Sequence, residues 1–298
     1  MSLAEGPRDL PYPKLPFWDT VSLSYSTYFR HFIEALRASW LWLVVVAALT
    51  GFASWQQWSW MAAAIAKLKP TPPFRIQQPT EMTVLLNLDN ILILLAGVSI
   101  AVAWHRLMIL NEQPSFSGSN VATKSLWRYI VAAIALFLIM FLPAAAVMLP
   151  TFYVLLPAAP ADPTQPPSGL FLLFLLVFVI YAVGMAVSLR LTLLLPAQAV
   201  GDTNLTIKQT WNRTRGNIWR LFWGIVVTTT PPLLIAQVAF LLGIGPPDPD
   251  MAGGEDFTAR MTAASTVFMI YYLLIVPIGI GFLSHAYRHF FVAPLEPA

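Results

Sequence analysis

Residues 188–227 read SLRLTLLLPAQAVGDTNLTIKQTWNRTRGNIWRLFWGIVV, and this stretch decides the fold. An apolar run approaches its end at Arg190. Pro196 and Gly201 then punctuate a turn, because proline cannot continue a helical hydrogen-bond ladder and glycine accepts unusual dihedrals. Thr206 followed by Gln209 has the spacing of a capping box, and Asp202 places negative charge near that helix start. Ile207, Trp211, Ile218 and Leu221 fall at near-helical spacing, with Lys208, Arg213, Arg215 and Arg220 on other faces. An apolar, Trp-bearing stripe beside a basic face predicts a helix lying in a membrane interface; the plainer alternative is a solvated linker helix. Another apolar run begins at Ile218, so the basic segment is an elbow between two spans.

The rest of the chain agrees with a membrane setting. Its 298 residues are 57% hydrophobic and 10% charged, with mean hydropathy +0.67. A soluble domain carries about 25% charged residues, so lipid is the natural solvent for this one. The chain has no cysteine, which excludes disulfides, thiolate metal sites and cysteine nucleophiles. Residues 1–20 hold several prolines and scattered charges with no apolar core of a signal peptide, and residues 1–23 read as a cytoplasmic arm.

Six runs reach the roughly 20 apolar residues needed to cross about 30 Å of hydrocarbon. They lie at about Trp40–Ile65, Val84–Leu107, Trp127–Leu149, Leu170–Leu194, Ile218–Ile244 and Ala263–Phe282. A basic amphipathic segment, Ser24–Trp40, leads into the first. Of the 17 Lys and Arg residues, 13 fall on one side of this arrangement and 4 (Lys67, Lys69, Arg75 and Arg260) on the other. The positive-inside rule then puts both termini in the cytoplasm.

The even spans end in WHRLMIL, SLRLTLL and AYRHFFV, with Arg106, Arg190 and Arg288 in register. The approaches to the odd spans align more loosely, as ALRASWLWLVVV, ATKSLWRYIVAA and TRGNIWRLFWGI. The expected fold is an all-α integral membrane protein. Residues 24–298 form one domain of three pseudo-repeated hairpins (about 24–110, 120–195 and 207–290), with basic amphipathic interfacial helices on the cytoplasmic side. Any hairpin that obeys the positive-inside rule makes similar ends, which is the competing explanation of the register.

The elbow also carries a resemblance. LRLTLLLPAQAVGD followed by IKQTWNRTRGNIWRLF is similar to a family of bacterial multi-pass inner-membrane proteins. That family is related to the membrane domain of some glycerophosphodiester phosphodiesterases and to the YciC-like membrane proteins. The matching residues are Arg190, Pro196, Trp211, Arg213, Thr214, Gly216 and Asn217; elsewhere the likeness is diffuse. The resemblance implies a helical fold in a bacterial inner membrane. It implies no activity, since the family's catalytic domain is a separate soluble barrel.

No nucleophile–base set and no phosphate-binding glycine loop is visible, so an enzyme is not expected. The basic segments abut spans and lack a folded reading module, so nucleic acid is not an expected partner. His285 and His289 are four apart and share a helix face, but no carboxylate lies near in sequence to complete a shell. No metal or cofactor is expected. Gly279 and Gly281 suit close helix contact. Asp89, flanked by Asn87 and Asn90, is the one acid inside a span, and intramembrane charge is by default a functional-site hypothesis.

Two functional classes remain. The first is a non-catalytic, lipid-associated scaffold or accessory subunit of a larger inner-membrane complex. In it Arg190, Lys208, Arg213, Arg215, Arg220 and Arg106 hold anionic lipid head groups, because guanidinium matches phosphate and each cation near an anionic surface contributes about 1 kcal/mol. The second is a transporter or channel for a small solute or lipid, with Asp89 as its polar site.

Overall fold

A computed structural model of the chain describes residues 14–66, 78–114, 124–155, 170–244 and 255–292. Lys67, Lys69 and Arg75, most of the Pro-rich loop after Pro150, and Asp248 and Asp250 lie outside the described residues. Those described form nine helices and no strand: α1 (Phe17–Arg30), α2 (Phe32–Ala66), α3 (Thr80–Leu110), α4 (Lys124–Leu155), α5 (Leu170–Leu191), α6 (Leu194–Val200), α7 (Ile207–Arg213), α8 (Ile218–Ile244) and α9 (Glu255–Phe291). Six of these segments are long and apolar enough to cross a membrane, and each coincides with a span expected from the sequence. The chain is an all-α membrane protein.

The long helices pair as three hairpins, α2 with α3, α4 with α5 and α8 with α9. The centre of the bundle is α9, not the elbow. It packs against α1, α2, α3 and α8, and Leu273, Phe282, Ser284, Ala286 and Tyr287 on it are buried. In α9, 44% of the apolar window is buried inside the chain, against 6% in α4. At about 1.5 Å per residue the 37 residues of α9 exceed the hydrocarbon thickness, so its ends reach head-group depth.

Small residues set the close approaches. A Cβ on Gly224 of α8 would lie 1.9 Å from Phe282 Cζ, so the missing side chain is what admits the Phe282 ring of α9. Gly281 faces Trp104 and Ser24, and Gly279 faces Thr229, the close contact expected of both. In the second hairpin, a Cβ on Gly184 would lie 3.0 Å from the Ile139 and Met140 carbonyl oxygens, and Ser188 donates to the Leu136 carbonyl at 3.1 Å. Helix α4 joins the core around α3 through Leu126 and Tyr129 near its start. Farther along, residues such as Phe137, Leu138, Phe141 and Leu142 are exposed.

The amphipathic N-terminal segment departs from expectation. It starts at Phe17 rather than Ser24 and ends at Arg30, and a break at His31 separates it from α2. The break lacks proline and glycine, so no local residue announced it. Leu15, inside the expected arm, is buried among Leu193, Leu221, Phe282 and Tyr287. Two phenols anchor α1 to the bundle: Tyr25 donates to the Val227 carbonyl at 2.8 Å and Tyr28 to the Leu274 carbonyl at 2.9 Å. Burial, and secondarily Tyr271, push both phenols above their ordinary pKa, which keeps them protonated donors.

Candidate lipid-facing elbow

The elbow is two short helices joined by turns. Helix α6 ends at Gly201, whose φ of 79° is left-handed, and the Asp202 N–H closes the terminus by donating to the Ala197 carbonyl at 2.9 Å. The capping box forms as expected: Gln209 N–H donates to Thr206 Oγ1, and the Gln209 side chain accepts from Thr206 N–H. Asp202 does not serve the start of α7. It accepts from the Tyr287 hydroxyl of α9 at 2.7 Å and from Asn204 N–H at 3.0 Å.

The continuous stripe from Ile207 to Leu221 is overturned. Helix α7 stops at Arg213, and a turn with Gly216 at φ 76° separates it from α8. Ile207 is 64% exposed while Leu221 is buried in the core, so they share no face. The amphipathic surface is built by two helices. Trp211 lies on α7, and Trp219 (70% exposed) and Trp223 lie on the first turns of α8.

Four of the six arginine and lysine residues assigned to head groups also hold the protein together. Arg190 lies 3.6 Å over the Trp211 ring and donates to the Trp211 carbonyl. Arg213 donates to the Phe290 carbonyl at 3.4 Å. Arg220 donates to the Leu15 carbonyl at 2.9 Å. Arg106 grips Glu112 through two hydrogen bonds of 2.8 and 2.9 Å and donates to the Ala199 carbonyl at 3.1 Å. Arg288, third of the aligned arginines, reaches the Met108 carbonyl at 3.5 Å.

Ala199, Trp211, Phe290 and Met108 all lie in the last turns of helices α6, α7, α9 and α3. Carbonyls there lack intrahelical donors and carry the negative end of the helix dipole, so each arginine supplies a missing partner. The register of Arg106, Arg190 and Arg288 thus corresponds to a shared task, the capping of a neighbouring helix. Lys208 and Arg215 are exposed, and Arg215 lies within electrostatic reach of Arg190 as a like charge.

The remaining polar candidates are distributed through the bundle. Asp89 is 8% exposed and accepts a 2.8 Å hydrogen bond from Thr50 of α2. His105 is buried, with Nδ1 2.8 Å from Ser284 Oγ. That hydroxyl already donates to the Ile280 carbonyl, so it accepts from His105 and fixes the Nδ1–H tautomer. His285 is buried and His289 exposed, so the pair does not converge on one ion. Among the described residues no three His, Cys, Asp or Glu side chains group as metal ligands.

No protein-family profile, curated protein or solved structure matches this chain.

Proposed function

We propose that this protein is a non-catalytic, lipid-associated scaffold or accessory subunit of the bacterial inner membrane, with the elbow and both termini on the cytoplasmic side. The resemblance of its elbow to the phosphodiesterase-linked and YciC-like membrane families belongs to the same proposal. One observation carries the reading: exposed Lys208 and Arg215 stand beside exposed Ile207, Trp219 and Trp223 at one end of a six-span bundle. Apolar and indole groups seat the surface at head-group depth, and the cations are then positioned for phosphate. Arg190 and Arg215 held near each other suit an anion, which would relieve their repulsion. Arginine has five donors, of which Arg190 spends one on the Trp211 carbonyl. The low burial of the α4–α5 hairpin supports the accessory-subunit half of the reading, since it leaves a large apolar surface to lipid or to a second membrane chain.

The test is the double variant Lys208→Gln/Arg215→Gln, chosen because both side chains are exposed. Co-purified anionic lipid should fall several-fold while the topology is kept. Unchanged lipid content in correctly inserted protein would reduce these charges to insertion signals.

The alternative, a transporter for a small solute or lipid, rests on Asp89. Its hydroxyl partner and its burial favour a role in joining α2 to α3 over an open ion path.

A further inference from the structure

We infer that the groove between α8 and α9, at the end of the bundle away from the elbow, is a binding site for one phospholipid, with its phosphate on Arg260 and one acyl chain lying in the groove. The groove encloses about 320 Å³ and is almost wholly apolar. Alanines make it: Ala236 and Ala239 on α8 and Ala263 and Ala264 on α9 withhold side chains where the helices would otherwise interlock. The Phe240 and Phe268 rings, 5.9 Å apart, wall it in. Arg260 lies at its mouth and Tyr271 at its inner end.

Length and charge choose the occupant. From Arg260 to Tyr271 the groove follows α9 for about 16 Å at 1.5 Å per residue. The hydrocarbon of one leaflet is about 15 Å deep, half of a 30 Å core. A site that begins at a cation and runs one leaflet deep has the dimensions of a single acyl chain below its phosphate. Arg260 is the one Lys or Arg among the described residues at that end of the bundle. It is exposed and forms no ion pair with Asp256, the acid one turn before it. A guanidinium at the membrane surface beside an apolar slot is matched by a phosphodiester, through the bidentate geometry that lysine lacks. This site lies at the opposite end of the bundle from the elbow and does not depend on head-group binding there.

The experiment uses the full chain in nanodiscs containing a few mole per cent of a phosphatidylcholine with a diazirine midway along one acyl chain. After irradiation, adducts are mapped by peptide mass spectrometry. Adducts should concentrate on Ala236–Phe240 and Ala264–Phe268, several-fold above those on the exposed residues of α4 and α5. Arg260→Gln should lower groove labelling several-fold, and Ala264→Phe should bring it to the level of α4. Should Ala264→Phe fail to fold, Arg260→Gln carries the test alone, since its side chain is exposed and makes no hydrogen bond or ion pair among the described residues. Labelling spread evenly over α4, α5 and α8, or groove labelling indifferent to Arg260→Gln, would mean annular lipid only and overturn the inference.

Discussion

The guanidinium carbon of Arg190 lies 3.6 Å above the centre of the Trp211 ring, and the same side chain donates to the carbonyl of Trp211. One arginine thus joins the end of α5 to the last turn of α7 by stacking and by capping. A cation over an indole contributes about 0.5–2 kcal/mol, and a cation at a helix C-terminus about 0.3–1 kcal/mol. Arg190→Gln should therefore cost about 1–3 kcal/mol, seen as a lower unfolding temperature in detergent. Arg190→Lys should recover only part of that loss, because an ammonium lacks the planar face and the fork. Full recovery by lysine would reduce the contact to charge alone.

Among the glycines of α8 and α9, Gly224 leaves the least room for a side chain, because the Phe282 ring fills its place. Gly224→Ala puts a methyl group where the ring lies, and overpacking of this kind costs about 1–3 kcal/mol. Phe282→Leu in the same chain should return part of the stability by clearing the ring. If the two losses simply add in a thermal denaturation series, the contact is not the source of the cost.

Asp89→Asn retains an acceptor for the Thr50 hydroxyl, and the variant should insert and unfold within about 1 kcal/mol of the parent. Thr50→Val removes the donor from a buried carboxyl group and should cost about 1–3 kcal/mol. Unfolding in a denaturant series compares the two. A proteoliposome flux that Asp89→Asn abolishes would instead favour the transporter reading.

The Leu15 peptide unit is held at both ends: its N–H donates to Asn217 Oδ1 at 2.9 Å and its carbonyl accepts from Arg220 at 2.9 Å. Asn217→Ala strands a buried N–H, at a cost of about 1–3 kcal/mol. Amide exchange at Leu15 and across α1 should speed up while α4 and α5 are unaffected. Unchanged exchange at Leu15 would show that packing alone holds the segment.

The spans were legible because each is a long apolar run, and that signal needs no tertiary information. The capping box at Thr206 and Gln209 was legible for a similar reason: four consecutive residues contain the whole interaction. The early end of α7 depended on Gly216 turning left-handed in a segment otherwise acceptable to a helix. The centrality of α9 was hidden because all six spans are similarly apolar, and burial depends on which faces meet. The second role of the elbow arginines was hidden too. Their acceptors are backbone carbonyls as distant as Leu15 from Arg220, and a carbonyl has no signature in sequence. Arginine beside lipid and arginine at a helix terminus look identical in one dimension.

The docking of Leu15 has a bearing on the order of assembly. Its two partners come 202 and 205 residues later in the chain. During synthesis from the N-terminus, α1 emerges well before α8 and has no seat until spans α2 to α5 have been inserted and α8 has begun. A helix made early is thus placed late. Its arrival closes the bundle against α9, which follows α8 in the chain. A ribosome-bound chain ending before α8 would hold spans yet leave the Leu15 seat unbuilt, so α1 is made long before it can be placed.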